Sequence, residues 1–465
     1  MSEGRRVPVV VVIVLGALVV LLLGDPVRTR FATARADGRA PAATLVPEGV
    51  RSAVWYCAFA TSDPQPRSDD AAILTNLGEA SVAVAVSAMA NGNVTSSRRV
   101  QLAGHATITL QAGDIGAAAG AGVLIEPFGS DVVVDHRATD AAGSVSQTPC
   151  ATQASTDWYF PAGTTRRGSI ERIALFNPFT QPAVVDVTAV TTAGATRPDS
   201  LQGLSVPPRS RTVINVNAAA DQRNLLAVAI NAERGTRVVA EVALEQRDTN
   251  GDGGFSIALG SPALGRDWHV AADGGANATP TLAILNPGAS DTNVQVQTMV
   301  NGSVRAIERF LTAKAGTVTL VDVPVPANRP QMSVEVKSLK GTPSIAVAGL
   351  VTYQAKRGRA GPVSIVTGAT LDARRSAFAT PGPGGSRNVT VVLENESGTS
   401  AHVQIAIGNE GTVTTSVPHD SVTALTLGTG AQSAPLVVSS NTPVYAFRRL
   451  DEGSGVSTVP ALPGT

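Results

Sequence analysis

Short stretches in which apolar and polar residues alternate recur four times along the chain. The first has Val82, Val84 and Val86 on one face and ends at the turn Asn91-Gly92. Equivalent stretches lie at 185–189, 294–298 and 403–407, and each is followed by a glycine-containing turn. This period of two predicts strands with one buried and one solvated face, and the turns predict antiparallel hairpins.

Two further markers recur with the same period. An aromatic residue opens each repeat, and an apolar strand that ends in asparagine follows it; the openers are Trp55, Trp158, Trp268 and Phe378, and the asparagines are Asn76, Asn177, Asn286 and Asn395. Both markers are spaced by about 100 to 110 residues, which is too long for a propeller blade of about 40 to 45 residues. An asparagine at the end of a strand predicts an Asx turn.

These patterns predict an all-β chain. About six or seven short strands per repeat, with no amphipathic helix, are typical of tandem immunoglobulin-like or fibronectin-like β-sandwich repeats. We predict repeats at 51–150, 151–262, 263–372 and 373–465. The short connectors between them predict repeats that follow one another end to end, as a rod.

An uncharged run, Val7 to Gly24, follows Arg5 and Arg6 and is long enough to cross a bilayer. A cleaved secretory signal is the alternative, but no small-residue cleavage site follows closely, which favours an uncleaved signal anchor at 1–24. Residues 25–50, rich in Ala, Arg and Pro, are predicted to be a linker. We therefore expect one N-terminal transmembrane helix and a membrane partner through it.

The orientation of this anchor rests on two opposing signals. Arginines are more numerous after the run than before it, which by itself would keep the body in the cytoplasm. Long domains are nevertheless translocated despite their charge, and the two cysteines, Cys57 and Cys150, flank the first repeat as a disulfide would. We predict a single-pass protein of the cell membrane with its body outside the cytoplasm. Two unrelated buried thiols are the alternative to the disulfide.

Charge excludes one class of partner. The chain has 36 basic and 36 acidic residues, so no net field attracts it to nucleic acid. We predict no nucleic-acid partner and no cofactor.

One loop has the composition of a calcium site. Asp248, Asn250 and Asp252 match the opening of a calcium-binding loop, but Leu259 stands where the closing bidentate Glu is required. Since turns occupy the same place in the other repeats, a hairpin tip without a metal is favoured over a weak calcium site.

No catalytic constellation is apparent in the sequence. The histidines fall at non-equivalent positions of the repeats, and there is no Gly-x-Ser-x-Gly nucleophile motif. Trp55, Trp158 and Trp268 have the faces that stack on sugars, but their shared position at the start of each repeat favours a place in the core. We predict a protein that is not an enzyme.

The Trp55-Tyr56-Cys57 opener, the turn at Leu175 to Pro178, the segment Leu204 to Ser210 and the N-terminal anchor resemble an actinobacterial family of membrane-anchored envelope proteins. That family is catalogued as a domain of unknown function, and the resemblance covers most of the chain. Its members are often encoded beside a large glycosyltransferase, which implies a part in envelope glycan assembly. The resemblance assigns no catalytic residue, and Phe378 departs from its tryptophan pattern.

Two functional classes follow from these observations. The first is an extracytoplasmic scaffold or binding protein of the cell envelope, with an envelope protein or glycan as its partner. The alternative is an envelope-glycan enzyme or an accessory subunit of a glycosyltransferase. The two differ in whether the polar residues that break the repeat come together in space.

Overall fold

The computed structural model describes residues 41–464 except 48, 60–67, 118–119, 141, 221, 248–252, 274–276, 301–306, 325–330, 355–359, 383–385, 387 and 453–454. The predicted anchor at 1–24, most of the predicted linker at 25–50 and the loop of Asp248, Asn250 and Asp252 lie outside the described residues. In the part that is described, no helix is both long and apolar enough to span a bilayer. Apart from short 3-10 turns at Asp199–Leu201, Val216–Ala218 and Thr429–Gln432, the regular structure there is strand, and the all-β prediction is confirmed.

The strands form four successive groups, which we call units 1 to 4. Unit 1 comprises β1 (Trp55–Cys57), β2 (Ser68–Asn76), β3 (Val82–Ala90), β4 (Asn93–Leu102), β5 (Thr107–Gln111), β6 (Gly122–Pro127), β7 (Val132–Asp140) and β8 (Val145–Pro149). Its first sheet has the order β1-β6-β3-β4 and its second sheet the order β5-β2-β7-β8. All pairings are antiparallel. Since successive strands of the chain mostly belong to different sheets, the chain crosses repeatedly between the two sheets.

Unit 2 repeats this topology. It comprises β9 (Asp157–Phe160), β10 (Ser169–Asn177), β11 (Ala183–Thr191), β12 (Gly194–Thr196), β13 (Leu204–Val206), β14 (Ser210–Asn215), β15 (Ala227–Ala232), β16 (Val239–Arg247) and β17 (Gly253–Leu259). The sheets are β9-β15-β11-β12 and β14-β10-β16-β17, and β13 pairs with β11 beside β12. Two short strands therefore take the place of β4.

Unit 3 has the same eight-strand order as unit 1. It comprises β18 (Asp267–Asp273), β19 (Ala278–Asn286), β20 (Thr292–Val300), β21 (Ile307–Ala313), β22 (Thr317–Asp322), β23 (Gln331–Ser338), β24 (Ala346–Gln354) and β25 (Ala360–Thr367). The sheets are β18-β23-β20-β21 and β22-β19-β24-β25.

In unit 4 one long strand serves both sheets. The unit comprises β26 (Ala373–Phe378), β27 (Asn388–Asn395), β28 (Ala401–Ile407), β29 (Gly411–Val417), β30 (Ser421–Leu427), β31 (Leu436–Glu452), β32 (Gly455–Pro460) and β33 (Leu462–Pro463). The first part of β31 pairs with β26 and β28, and its last part pairs with β27 and β32. The two parts of β31 therefore correspond to β6 and β7 of unit 1, and unit 4 keeps the pairing order of the other units.

The asparagines that end β2, β10, β19 and β27 make the same turn in every unit. All four side chains are fully buried. Each Oδ1 accepts a hydrogen bond from the N–H two residues later, and each Nδ2 donates to the carbonyl four residues later, at 2.8–3.0 Å. The predicted Asx turns are confirmed, and they fix the start of the next strand relative to the last.

One edge strand of each unit meets the corresponding strands of its two neighbours. These axial strands, β8, β17, β25 and β32, each carry a buried serine: Ser146, Ser256, Ser364 and Ser457. Each serine Oγ accepts a hydrogen bond from a backbone N–H of the following unit, namely Ile257 (3.0 Å), Ile365 (2.9 Å), Thr458 (3.3 Å) and Gln147 (3.0 Å). The last of these bonds joins unit 4 back to unit 1, so the serine cycle closes the four units into a ring.

The prediction of a rod was wrong. Short connectors require only that consecutive units be neighbours, and they do not set the angle between them. That angle follows from the axial strands, which would be unpaired sheet edges in a rod. In the ring, the serines of one unit accept hydrogen bonds from axial-strand N–H groups of the next.

The predicted disulfide is confirmed. Cys57 at the end of β1 and Cys150 just after β8 are bonded, with their Cα atoms 4.8 Å apart. The bond joins the edge of the first sheet of unit 1 to its axial strand.

Candidate functional site

The fourfold pattern breaks most strongly at the junction of units 3 and 4. On the unit 3 side, β18 carries Asp267 and His269, and the neighbouring β23 carries Lys337 and Glu335 directly opposite them. Side chains two residues apart on a strand lie on the same face, so these four side chains share one face of the sheet. In unit 2 the residue equivalent to His269 is Tyr159, which lies opposite Ala229.

Unit 4 supplies two more carboxylates. Glu394 is the penultimate residue of β27, and Glu396 follows in the turn of Asn395. Counted from the repeated asparagines, the residues equivalent to Glu394 are Thr75, Phe176 and Leu285. A position that is otherwise apolar or neutral therefore holds a charged group at this junction alone among the four.

His269 lies at the centre of the cluster. Its Nδ1 is 2.9 Å from Oε1 of Glu394, whose second oxygen accepts a hydrogen bond from the hydroxyl of Ser333. Among the described residues its Nε2 makes no hydrogen bond, and it lies 3.3 Å from Oδ1 of Asp267 and 3.5 Å from Oε2 of Glu396. The ring stacks on Tyr445 with 3.6 Å between centroids, which fixes its plane.

Lys337 is the second cation of the cluster. Its ammonium pairs with Glu335 and lies 3.1 Å from Oε1 of Glu396 and 3.9 Å from Oδ2 of Asp267. The Lys337 side chain is 36% exposed, whereas those of His269 and Glu394 are fully buried. The cluster thus extends from a sealed interior to a rim that solvent reaches.

Electrostatics favour a charged imidazole at this position. Burial by itself would lower the pKa of His269, but the negative charge of Glu394 and of the nearby carboxylates outweighs it and raises the pKa to about 10. Burial also raises the pKa of Tyr445. In the part of the chain that the structure describes, four carboxylates lie beside the two cations His269 and Lys337.

A second buried histidine lies at the junction of units 1 and 2. The two nitrogens of His136 are 3.0 Å from Asp70 and 2.8 Å from Glu241, a residue of unit 2. Burial opposes the charged ring here too, and the charge of Glu241 with hydrogen bonds to both carboxylates raises the pKa of His136 to about 9. Both ring nitrogens are hydrogen-bonded, so this histidine is a satisfied ion-pair partner.

The junction of units 4 and 1 uses arginine in the same way. Arg448 is fully buried and lies 3.5 Å from Asp135 of unit 1, and Arg137 lies 3.3 Å from Glu452. Removal of either partner of such a buried pair leaves an uncompensated charge. These pairs therefore hold adjacent units in one register.

The structure places the predicted site residues as follows. Trp55, Trp158 and Trp268 are at most 1% exposed, so none offers a face for sugar stacking. The indoles of Trp158 and Trp268 donate hydrogen bonds to the carbonyls of Val238 and Ile345. None of these three tryptophans belongs to the cluster at the junction of units 3 and 4.

Sequence reasoning missed this cluster. Asp267 and His269 were visible as the polar neighbours of Trp268, but Glu394 and Glu396 come from another repeat. The signal was available by comparing repeats position by position, because His269 replaces a tyrosine and Glu394 replaces Phe or Leu.

The ring encloses a cavity where the axial strands end. It is lined mainly by apolar residues and by backbone, including Leu259, Trp268, Ile365 and Val459, and Pro41 to Ala43 lie along it. Its volume is about 70 Å³.

The described residues form an all-β ring of four units with a polar cluster at the junction of units 3 and 4. The chain belongs to a family of unknown function, DUF5719, whose profile matches residues 129–428. That match covers parts of all four units. No curated protein matches the chain.

Solved structures give only distant similarity. A Thermotoga maritima protein is 13% identical, with a TM-score of 0.20, and covers 23% of this chain and 94% of its own. The tetra-tandem repeat from the extending region of a large adhesion protein is 13% identical, with a TM-score of 0.11, covering 89% and 100%. A structure of infectious bursal disease virus is 10% identical, with a TM-score of 0.13, covering 83% and 81%. Similarity at this level supports no conclusion about this chain.

Proposed function

We propose that this chain is a membrane-anchored extracytoplasmic scaffold or binding protein of the cell envelope that supports envelope glycan assembly. The observation that carries this proposal is the serine cycle of Ser146, Ser256, Ser364 and Ser457, which makes one preorganised body of four units. A body that is rigid before binding loses little conformational entropy when a partner docks. Its buried polar groups hold the units together and leave the outer faces for partners.

We also propose that each unit is an immunoglobulin-like sandwich. In unit 1 the second strand pairs with the fifth and the third with the sixth, as strands B and E and strands C and F do in an immunoglobulin sandwich, and the corresponding strands of the other units pair in the same way. Also in unit 1, the seventh strand pairs with the second in the place of strand A, and the first pairs with the sixth in the place of strand G. We assign the units to immunoglobulin-like sandwiches with exchanged terminal strands, a class common among cell-surface proteins.

A polar groove in unit 4 is the surface that we assign to the partner. It crosses β28, β29 and β31, has a volume of about 520 Å³, and is lined by His402, Val403, Gln404, Thr414, Thr415, Ser416, Ser439, Ser440 and Asn441. Most of these side chains carry a hydroxyl, an amide or an imidazole, which hydrogen-bond the hydroxyl groups of sugars or a polar protein surface.

The location outside the cytoplasm is supported by the Cys57–Cys150 bond. Disulfides persist in oxidising compartments and are rare in the cytosol. With the apolar run at 7–24 as a single-pass anchor, the body lies on the outer side of the cell membrane.

The alternative, an envelope-glycan enzyme or a glycosyltransferase subunit, draws on the cluster at the junction of units 3 and 4. The polar residues that break the repeat do come together there, as this alternative requires. The side chains of His269 and Glu394 are fully buried, however, so a glycan could reach only the rim formed by Lys337, Asp267 and Glu396. The scaffold is therefore favoured over an active site at this junction.

The experiment is capture of the full chain with its bound protein and glycan from its own envelope, by cross-linking and mass spectrometry. We expect Gln404→Ala, in the groove, to reduce the captured partner, and the equivalent Gln295→Ala in unit 3 to leave it unchanged. A reporter fused after Thr465 checks the orientation in the same cells. Equal capture by both variants would refute the groove, and activity of a cytoplasm-only reporter would refute the location.

A further inference from the structure

We propose that Asp267, His269, Glu335 and Glu396 bind one divalent first-row transition-metal ion, such as Zn²⁺ or Mn²⁺, and that this ion clamps unit 3 to unit 4. One ligand atom from each of the four residues lies within 4.8 Å of those of the other three. The four residues come from β18, β23 and the turn after β27, so an ion at their centre would join three chain segments and two units.

The imidazole of His269 has the environment of a metal ligand. Its Nδ1 is held by Glu394, and Glu394 is in turn held by Ser333. A carboxylate on one ring nitrogen is the usual arrangement that orients the other nitrogen towards a metal. Within the described part of the chain, the other nitrogen, Nε2, belongs to a fully buried residue, makes no hydrogen bond, and faces Asp267 and Glu396. A metal ion there takes the place of the Nε2 proton, which is released to solvent.

His136 provides the internal comparison. It is just as buried and also lies between two carboxylates from adjacent units, but both of its nitrogens make hydrogen bonds, at 2.8 and 3.0 Å. A histidine that serves only as an ion-pair partner is therefore fully satisfied in this fold. His269 differs from it in having one buried nitrogen without such a bond.

Charge is compatible with an ion at this place. Among the described residues, the carboxylates of Asp267, Glu335, Glu394 and Glu396 lie beside the cations His269 and Lys337. A divalent ion that replaces the Nε2 proton of His269 and the ammonium of Lys337 leaves the net charge of the cluster unchanged. Glu335 is 2% exposed, and its Oε1, which pairs with Lys337, has no hydrogen bond. Lys337 has a flexible four-carbon stem and is partly exposed, so its ammonium can move to solvent when a divalent ion takes its place.

The donor set selects the class of metal. Imidazole nitrogen suits Zn²⁺, Fe²⁺ and Ni²⁺, and carboxylate oxygen suits Mn²⁺ as well as Mg²⁺ and Ca²⁺. Ca²⁺ and Mg²⁺ take oxygen ligands, so one buried imidazole disfavours them. Three carboxylates with one imidazole therefore favour Zn²⁺ or Mn²⁺.

The test is calorimetric titration of the metal-free full chain with Zn²⁺ and with Mn²⁺, using Ca²⁺ as the comparison. We expect saturable binding of one Zn²⁺ or Mn²⁺ per chain and a rise in the melting temperature with metal concentration, because an ion that binds only the folded state stabilises it. Asp267 lies at the partly exposed rim, so Asp267→Asn should fold, and we expect it to weaken metal binding at least about tenfold. Glu394→Gln removes the carboxylate that orients the imidazole, and we expect a similar loss of affinity. Lys337→Met, which removes the competing cation, should tighten metal binding.

His419→Ala is the matched control, because His419 is an exposed histidine beside Asp420 and represents adventitious surface binding. It should leave the affinity unchanged. Absence of saturable Zn²⁺ or Mn²⁺ binding would overturn the proposal. So would binding that is lost in His419→Ala, or binding that is unaltered by Asp267→Asn.

Discussion

Glu171, on β10 of unit 2, has a fully buried and closely packed carboxyl group. It lies against Gly163, where a Cβ atom would be 2.4 Å from Oε2 of the glutamate. Burial raises the pKa of Glu171 from 4.5 to about 8, and neither carboxyl oxygen has a hydrogen-bond partner among the described residues. At neutral pH the folded chain therefore holds this side chain mainly in its neutral form.

The pH dependence of stability follows from that pKa. Since the folded pKa is above the unfolded one, the folded state binds more protons between pH 4.5 and about 8. Stability therefore falls as the pH rises through this window and then levels off. We expect Glu171→Gln to remove this dependence and to exceed the wild type in stability at pH 9, by on the order of 3 to 5 kcal/mol. Urea unfolding at pH 5 and pH 9 measures it; an equal difference at both values would contradict the assignment.

Individual buried residues were predictable where they repeat. The tryptophans and the turn asparagines share one position in successive repeats, and a shared position in a sandwich indicates a structural role. His136 and His269 fall at non-equivalent positions, and each depends on a carboxylate more than 100 residues away in sequence. Nothing local in the sequence indicates such a partner.

At the scale of elements, period-two alternation identified the strands well. The runs predicted from Val82, Val185, Val294 and Val403 lie in β3, β11, β20 and β28. The prediction succeeded because one face of each strand is buried and the other is solvated. The axial strands were harder to interpret, because their residues are buried on both sides, as in the fully buried pattern of β8.

The serine of an axial strand can be tested directly. Ser256 is 1% exposed, and its Oγ accepts the N–H of Ile365 at 2.9 Å. Ser256→Ala leaves that buried N–H without an acceptor, which should cost about 1–3 kcal/mol. Chemical unfolding of the full chain measures the loss.

Ser205→Ala is the control for that variant, since Ser205 lies exposed on β13. It should change stability by less than about 0.5 kcal/mol. If Ser256→Ala were equally neutral, the serine cycle would contribute nothing to closing the ring.

At the scale of the whole molecule, the order of the repeats was visible in the sequence but the ring was not. Closure depends on bonds between β32 and β8, which lie at opposite ends of the described chain. Units 1 and 4 share no connector, so no local pattern brings them together. The repeated serines, each preceded by an apolar residue, were the available signal, and they are informative only once the axial strands are known to meet.

The Cys57–Cys150 bond closes a segment of 93 residues, and the chain-entropy model assigns such a loop about 4–5 kcal/mol. From the sequence alone, its loss should lower the melting of unit 1 and leave units 2 to 4 nearly unchanged. In the ring, β8 of unit 1 is bonded to both β17 and β32, so loosening unit 1 removes closing contacts from its two neighbours. We therefore expect Cys57→Ser/Cys150→Ser to shift one cooperative calorimetric transition of the whole body to lower temperature. A new early transition of about one unit's enthalpy, with the remainder unmoved, would show that unit 1 unfolds independently and that the ring does not couple its units.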